Sequence, residues 1–346
     1  MSLSEHPKVS VLMPVFNSSG YLSEALQSIL RQTFADFEFI IINDGSTDDS
    51  ADIINKFSDH RIRLMHNGTN LGVVESLNRG LVMARGEYVA RMDADDLSRP
   101  TRLAKQVAFL DNNPRVGVCG SWVRFIPDNT IWKLPESFDE IKCWQFHSVG
   151  VAHPVVMIRR KVFVENGLFY DPRYQHIEDY ELWGRALNYM DFANIQEVLL
   201  DYRISSEQIC SRHGARQLES ARSLRAERLK EIGIIPTSAE QELHEAIMNC
   251  RLPSDRVYLD QAEQWLLRLE SANSAVGKYR KDFFAKRLLA IWFSICANPR
   301  SAGICSWKRC RDSLLWSRAN TSSWYGIRAF GAWITHKGLW FRHEER

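Results

Sequence analysis

Three carboxylates, Asp93, Asp95 and Asp96, stand within four residues at the end of a short apolar run from Tyr88 to Met92. Carboxylates so crowded repel one another and have no reason to share a hydrophobic core. A hard divalent cation, Mg²⁺ or Mn²⁺, bound through oxygen and shared with substrate phosphates, removes that repulsion. The plainer reading is a solvated acidic turn ahead of a helix at Arg99-Pro-Thr-Arg-Leu103, with Ser98 or a nearby Asp as its cap. Position speaks for chemistry. Ligands in open α/β sheets bind at the carboxyl ends of strands, and the triplet follows a predicted strand directly.

Other polar segments share that placement. Asn17-Ser-Ser-Gly20, Asp44-Gly-Ser-Thr-Asp48 and Asn70-Leu-Gly72 each follow an apolar run. Singly, each is good turn chemistry, and Asp-Gly-Ser-Thr-Asp leads into a helix cap. Together with the triplet they make a polar rim able to read a nucleotide base, ribose and diphosphate. The chain has neither a Walker lysine motif nor Gly-x-Gly-x-x-Gly, the two commonest phosphate cradles. Farther on, His153 precedes Pro154, where a hydrogen-bonded loop histidine and a site histidine are both open readings. Glu178-Asp-Tyr-Glu-Leu-Trp183 opens a helix, and its acidic first turn suits the helix dipole.

The elements that must position these residues alternate over the first 126. Val9–Phe16, Phe37–Ile42, Arg61–His66 and Tyr88–Met92 read as strands, and Tyr21–Arg31, Ser50–Phe57 and Val73–Ala84 as helices. Four βα units at this spacing argue a parallel sheet with right-handed crossovers and helices on both faces. Val116–Ile126 and His153–Ile158 read as further strands. Pro127–Phe146, rich in Trp, Pro and charge, matches no clear period. The Glu178 helix should run to about Asn188. From about Arg212 the alternation stops, and Arg216–Ile232, Thr237–Asn249 and Ser254–Ser271 read as helices.

The motifs, taken in order, resemble those of the family 2 inverting glycosyltransferases of the bacterial cell-surface polysaccharide type. The resemblance rests on Pro14-Val-Phe-Asn17 with Tyr21-Leu22, Asn43-Asp-Gly-Ser-Thr-Asp48, Asn70-Leu-Gly72 and Arg85-Gly-Glu-Tyr88. Asp93-Ala-Asp-Asp96, Pro100-Thr-Arg-Leu103 and Glu178-Asp-Tyr-Glu-Leu-Trp183 complete it, over about residues 8 to 204. It implies a GT-A fold, a nucleotide-sugar donor (most often UDP-linked) and a divalent cation. By the same resemblance Pro14, Val15, Phe16, Asn17, Asp44, Asn70, Gly72, Asp93 and Ala94 line the donor site. Asp44 would contact the base, Asp93 the ribose or the metal shell, and Asp95 the metal. Asp179 would be the general base, while Glu178, His153 and Trp183 serve the acceptor or position the helix. One departure stands out: many relatives carry Tyr-Arg-x-His here, its His completing the metal shell. This chain has Tyr202-Arg-Ile-Ser205, with His213 eight residues on.

Charge divides the chain. Residues 274–346 hold 14 Lys and Arg against 4 Asp and Glu, and six of the eleven tryptophans, so the tail is strongly basic and the remainder acidic. Tryptophan favours the headgroup level of a bilayer, and basic side chains favour an anionic surface. Lys278-Tyr-Arg-Lys281, Phe283-Phe284, Leu288–Phe293, Trp307-Lys-Arg309, Trp316, Trp324-Tyr325, Trp333 and Trp340-Phe-Arg342 thus predict an interfacial tail. The competing reading has these tryptophans packed in a core; nucleic-acid stacking ranks last, with no motif beside it. The seven cysteines are odd in number and scattered, which suits free thiols in a reducing compartment. The N-terminus shows no signal-peptide core, and no apolar run approaches 18 residues.

The expectation is an α/β GT-A catalytic domain over 1–211, with a nucleotide-sugar half at 8–126 and an acceptor half at 127–211. A helical accessory region follows over 212–346. The reaction expected is displacement with inversion, from a nucleotide sugar to a hydroxyl of a glycan or lipid-linked acceptor. It would occur in the cytoplasm at the inner face of the membrane, without nucleic acid. A nucleotidyltransferase and a non-catalytic membrane-surface module are the other classes in play.

Overall fold

The computed structural model describes residues 6–204, 209–249, 256–297 and 309–318. They divide into two compact units. The first contains the chain up to Ile141 and Ser148–Gln217; the second contains Lys142–His147 and everything described from Leu218 onward. The expected division after 211 falls inside a helix, and the short excursion at 142–147 carried no signal in the sequence.

The first unit is built on one sheet. Its strands are β1 (Val9–Val15), β2 (Phe37–Asn43), β3 (Ile62–His66), β4 (Tyr88–Arg91), β5 (Leu97–Ser98), β6 (Val116–Ile126), β7 (Ile131–Trp132), β8 (Met157–Arg159) and β9 (Asp191–Arg203). The spatial order is β3-β2-β1-β4-β8-β6-β9-β5, with β7 paired to β6. The expected parallel half is present: β1 lies parallel to β2 and β4, and β2 parallel to β3. Beyond β4 the sheet is mixed, because β8 runs antiparallel to both its neighbours while β6 and β9 run parallel.

Side-chain alternation builds two cores, one on each face. Val9, Val11, Met13 and Val15 of β1 join Phe37, Phe39 and Ile41 of β2 on one side, under helices α1 (Leu22–Leu30) and α4 (Arg102–Asn112). Leu12, Ile40 and Ile42 point the other way, toward α3 (Val73–Met83) and α7 (Glu178–Ala186). Helices α2 (Ser50–Asn55), α5 (Phe138–Trp144) and α6 (Arg160–Glu165) complete the chain up to α7.

Three expectations change here. His153–Ile158 is a 3-10 turn at His153–Val155 followed by the three-residue β8, since Pro154 offers no N–H to a ladder. The unassigned stretch after Pro127 holds β7 and α5. The 13-residue β9 escaped the sequence reading, for its burial is irregular and two exposed positions, Gln196 and Glu197, interrupt any alternation.

The second unit is helical: α8 (Ile209–Glu231, beginning in the first unit), α9 (Ser238–Met248), α10 (Arg256–Val276), α11 (Lys281–Ala297) and α12 (Leu314–Arg318). Its core gathers around Phe146, whose ring meets those of His244, Tyr279 and Phe284 edge-on. This corrects part of the interfacial reading of the tail. Phe284, Leu288, Trp292 and Ile295 recur at helical spacing, so one face of α11 is buried in that core. Arg287 lies 3.9 Å over the Trp144 ring, and Trp316 packs half-buried against the same cluster. Trp307, Trp324, Tyr325, Trp333 and Trp340-Phe-Arg342 lie outside the described residues, as do Ser205 and the His213 side chain. No helix among the described residues is long and apolar enough to cross a membrane. Cys119, Cys143, Cys296 and Cys310 are buried.

Candidate active site

The strand-end loops are tied to one another by side chains bonding backbone. Asn17, left-handed at φ 47°, donates its N–H to Ser46 Oγ at 3.1 Å and accepts from Thr47 N at 2.9 Å. Ser19 N donates to Asp48 Oδ2 at 2.9 Å, and Ser18 N to Ser50 Oγ at the same distance. The first two loops therefore form one surface. Asp44, buried, binds the third: its carboxylate accepts from Leu71 N, Gly72 N and Asn67 Nδ2, at 2.9, 2.9 and 2.7 Å. Gly45 makes the approach possible. Its φ is +68°, and a Cβ there would stand 2.6 Å from the Thr69 carbonyl carbon. Phe16, Tyr21 and Leu71 stay substantially exposed on this rim.

The triplet is no solvated turn. Its carboxylate oxygens come within 4.8 Å of one another; Asp93 and Asp95 are half-buried and Asp96 is fully buried. Helix α4 starts after Thr101, without a side-chain cap. Asp96 Oδ1 accepts from Arg203 N at 2.9 Å, and its Oδ2 has no partner among the described residues. Burial, with Asp93 and Asp95 beside it, holds the Asp96 carboxyl well above the usual carboxylate range. Hard oxygen donors, mutual crowding and an orphaned buried oxygen together fit a divalent cation.

Two arginines lie under the triplet. Arg91, buried, pairs with Asp93. Arg102 is buried and donates to the Arg91 carbonyl at 2.6 Å and to Gln106 Oε1 at 3.1 Å. Burial, followed by the charge of Arg91, pulls its pKa down to about 9. It braces the backbone at the end of β4 from behind.

The start of α7 belongs to the same electrostatic neighbourhood. Burial is the main cause of a raised Asp179 pKa; the Tyr180 N–H and Arg91 pull the other way, and Asp93 adds to the rise. Asp179 Oδ1 accepts from Tyr180 N at 2.7 Å. Glu178, pushed up to about 7 by burial and then by Asp179, keeps Oε2 unpartnered among the described residues. His153 Nε2 meets Tyr170 Oη at 2.8 Å, and burial and Arg91 lower its pKa well below the usual imidazole value. A neutral imidazole held by a tyrosine suits the hydrogen-bonded loop reading of His153. Trp183 is fully buried, edge-on to His153, Phe163 and Phe192, so it anchors the helix rather than facing a ligand.

Against known proteins, the sequence pattern described as Glycosyl transferase family 2 matches residues 10–167. An uncharacterized glycosyltransferase of Haemophilus influenzae is 32% identical over 246 residues, 66% of this chain and 76% of the relative. The chain belongs to glycosyltransferase family 2. It is accordingly an enzyme of the glycosyltransferase class that binds a nucleotide sugar. Within the family, an Escherichia coli UDP-Gal:alpha-D-GlcNAc-diphosphoundecaprenol beta-1,3-galactosyltransferase is 35% identical over 217 residues, 60% of this chain and 78% of the relative. The crystal structure of S. aureus TarS 1-349 in complex with UDP-GlcNAc covers 88% of this chain and 90% of its own, with a TM-score of 0.56 at 19% identity. That likeness shows the fold, a GT-A arrangement with C-terminal helices. The nucleotidyltransferase and non-catalytic readings find no support in this family. The family match stops short of Glu178 and Asp179. Sequence reasoning missed Arg91, Arg203 and Tyr170. Arg91 carried a signal, a lone cation inside an otherwise apolar strand; Arg203 stood in the Tyr202-Arg-Ile-Ser205 stretch but was read there only for its missing histidine, and Tyr170 had no signal.

Proposed function

We propose that this glycosyltransferase moves a sugar from a UDP-linked donor to a hydroxyl of a glycan or lipid-linked oligosaccharide, with inversion at the anomeric carbon, in polysaccharide assembly. One observation carries the reading: three carboxylates within 4.8 Å of one another end β4, in the sheet whose donor loops are stitched together by Asp44 and Asn17, and Arg91 and Asp93 also act on Asp179. The donor and acceptor named for the Escherichia coli relative support UDP and a lipid-linked acceptor.

Asp179 removes the proton from the attacking hydroxyl. Its raised pKa makes it a stronger base than an exposed aspartate. Asp44 holds the Asn70–Gly72 loop against the nucleotide, and Phe16 and Asn17 face the same rim. Asp95, with Asp93 and Asp96 beside it, would hold Mg²⁺ or Mn²⁺, which when bound offsets charge growing on the leaving diphosphate. Arg91 fixes Asp93 and stabilises the ionised form of Asp179. Radiolabelled UDP-, dTDP- and GDP-sugars incubated with a lipid-linked glycan extract test the assignment. Transfer from a UDP-sugar, with an inverted linkage by NMR, is the expected result. Transfer of a nucleotidyl group, or of no group, overturns it.

The basic tail supports peripheral attachment to the inner face of the membrane, which would bring a lipid-linked acceptor to the site. Since α11 and α12 serve a core, the chain to compare with the full protein ends at Arg318. Full-length protein should float with phosphatidylglycerol vesicles at low salt and the shortened chain should not; equal flotation refutes the attachment.

A further inference from the structure

The end of β9 reaches back to the acidic triplet through one residue. Arg203 N donates to Asp96 Oδ1 at 2.9 Å, and Arg203 Nε donates to the Asp95 carbonyl oxygen at 2.9 Å. Its Nη2 donates to Glu24 Oε2 at 2.8 Å, and the guanidinium lies 4.2 Å over the Tyr21 ring. Those partners come from distant parts of the chain: the triplet after β4, helix α1, and the residue that follows the Asn17–Gly20 loop.

We propose that Arg203 is a positioning residue for the divalent cation, fixing Asp95 and Asp96 relative to the first donor loop so that the triplet is preformed when metal and nucleotide arrive. The proposal rests on the metal reading of the triplet. Three carboxylates within 4.8 Å spread apart unless the backbone carrying them is held. Arg203 holds it by two independent bonds. The Asp95 peptide is pinned by Nε, which sets the direction of that side chain. The Asp96 carboxylate is engaged by a main-chain N–H at one oxygen, which orients the other. Glu24 and the Tyr21 ring then keep the guanidinium in place. Lysine cannot replace this arrangement, for it offers a point charge with no flat face and no fixed fork of donors. Partners that orient metal ligands from behind typically cost 10- to 100-fold in metal affinity when removed.

Arg203→Lys tests the assignment without turnover, by electron paramagnetic resonance and calorimetry of Mn²⁺ binding in the presence of UDP alone. The expected result is Mn²⁺ binding weaker by about 10- to 100-fold, with UDP affinity in EDTA unchanged and the melting temperature within a few degrees of wild type. Loss of stability alone would not move the ratio of UDP affinities with and without Mn²⁺. Mn²⁺ affinity in R203K equal to wild type overturns the proposal. Should R203K fail to fold, Glu24→Gln carries the test, since it removes one anchor of the guanidinium on an exposed side chain. Weaker Mn²⁺ binding in E24Q then supports the proposal, and equal binding overturns it. A wild-type protein that takes up no Mn²⁺ with UDP present refutes the metal reading itself, and the proposal with it. That outcome is distinguished because the wild type is then silent.

Discussion

The two units use buried polar groups for opposite ends. In the sheet unit they sit at the carboxyl ends of strands and tie loop to loop, as Asp44 does with the Leu71 and Gly72 amides. Some are left without partners there, Asp96 Oδ2 and Glu178 Oε2 among them. In the helical unit they are sunk between helices and bond across them, although His244 Nε2 and Gln241 Oε1 there have no partner among the described residues either. Arg225 pairs with Glu245 at 2.5 Å and donates to the His147 carbonyl at 3.1 Å, and Trp265 Nε1 donates to His244 Nδ1 at 3.0 Å. The first pattern leaves the Asp96 and Glu178 carboxylates unsatisfied at a strand edge where a ligand can reach them. The second fixes how helices pack.

The comparison is tested most severely by Asp179→Asn. The amide keeps size and the Tyr180 contact but cannot take a proton. Transfer should fall by roughly 10²- to 10⁴-fold, with UDP affinity and melting temperature little changed. A variant within a few-fold of wild type would reject Asp179 as base and make Glu178 the next candidate. The mirror experiment is Trp292→Ala in the helical core. Deleting a fully buried tryptophan should cost about 3–5 kcal/mol in urea unfolding, while UDP affinity measured well below the transition holds. A parallel loss of UDP binding would break the functional division drawn here.

How much of this was legible in the sequence follows the same division. The strand ends announced themselves because turn residues, glycines and carboxylates at the ends of apolar runs have few other uses. Asp44, Asn17 and the triplet were found that way. Their detailed work was not legible: nothing local in the sequence signalled that the Asp44 carboxylate also binds the Leu71 and Gly72 amides. Arg203 acts across more than 100 residues of chain, on Asp96 and Glu24, and no local pattern encodes such a contact. In the helical unit the tryptophans and basic residues suggested a membrane surface, because composition does not say which face of α11 is inward. The spacing of Phe284, Leu288, Trp292 and Ile295 did hold that information. β9 and Lys142–His147 were lost for a different reason. Their residues answer to partners elsewhere in the fold rather than to a period of their own.

One buried group in each unit answers pH with opposite sign to the other. Glu178 has its pKa raised from 4.5 to about 7, so the folded protein keeps a proton that the unfolded chain gives up. That contribution to stability is complete below pH 4.5 and is lost as pH rises through 7. His244 is pulled from 6.5 down to about 3 by burial, then by Arg225, so its contribution is present above pH 6.5 and is lost as pH falls toward 3. Between 4.5 and 6.5 the two slopes oppose. Glu178→Gln removes one of them: relative to wild type, the variant should gain up to about 3 kcal/mol between pH 4.5 and pH 8. Urea midpoints at those two pH values measure the difference. Equal differences would show that the Glu178 pKa is not raised in the folded protein.

The smallest effect belongs to a helix end, where the two units can be compared on equal terms. Helix α9 begins with a reciprocal cap: Thr237 Oγ1 accepts from Glu240 N at 3.3 Å, and Glu240 Oε2 accepts from Thr237 N at 2.8 Å. Arg268 from α10 also reaches Glu240. Helices α1, α3 and α4 of the sheet unit have no side-chain cap; their first turns lean on the loops before them. The sheet unit thus starts its helices from loops held by the site, whereas the helical unit starts α9 from a local pair that owes nothing to any ligand. Thr237→Ala should therefore cost about 1 kcal/mol in urea unfolding, and the cost should be the same with and without saturating UDP and Mn²⁺. Asp48→Ala removes the bonds to Ser19 N and Ser50 N that organise the start of α2 and the first loop. Its cost should grow when UDP is present, because the variant also loses binding energy that stabilises the wild type. If ligand changes both costs alike, helix starts in the two units do not differ in the way the bonds indicate.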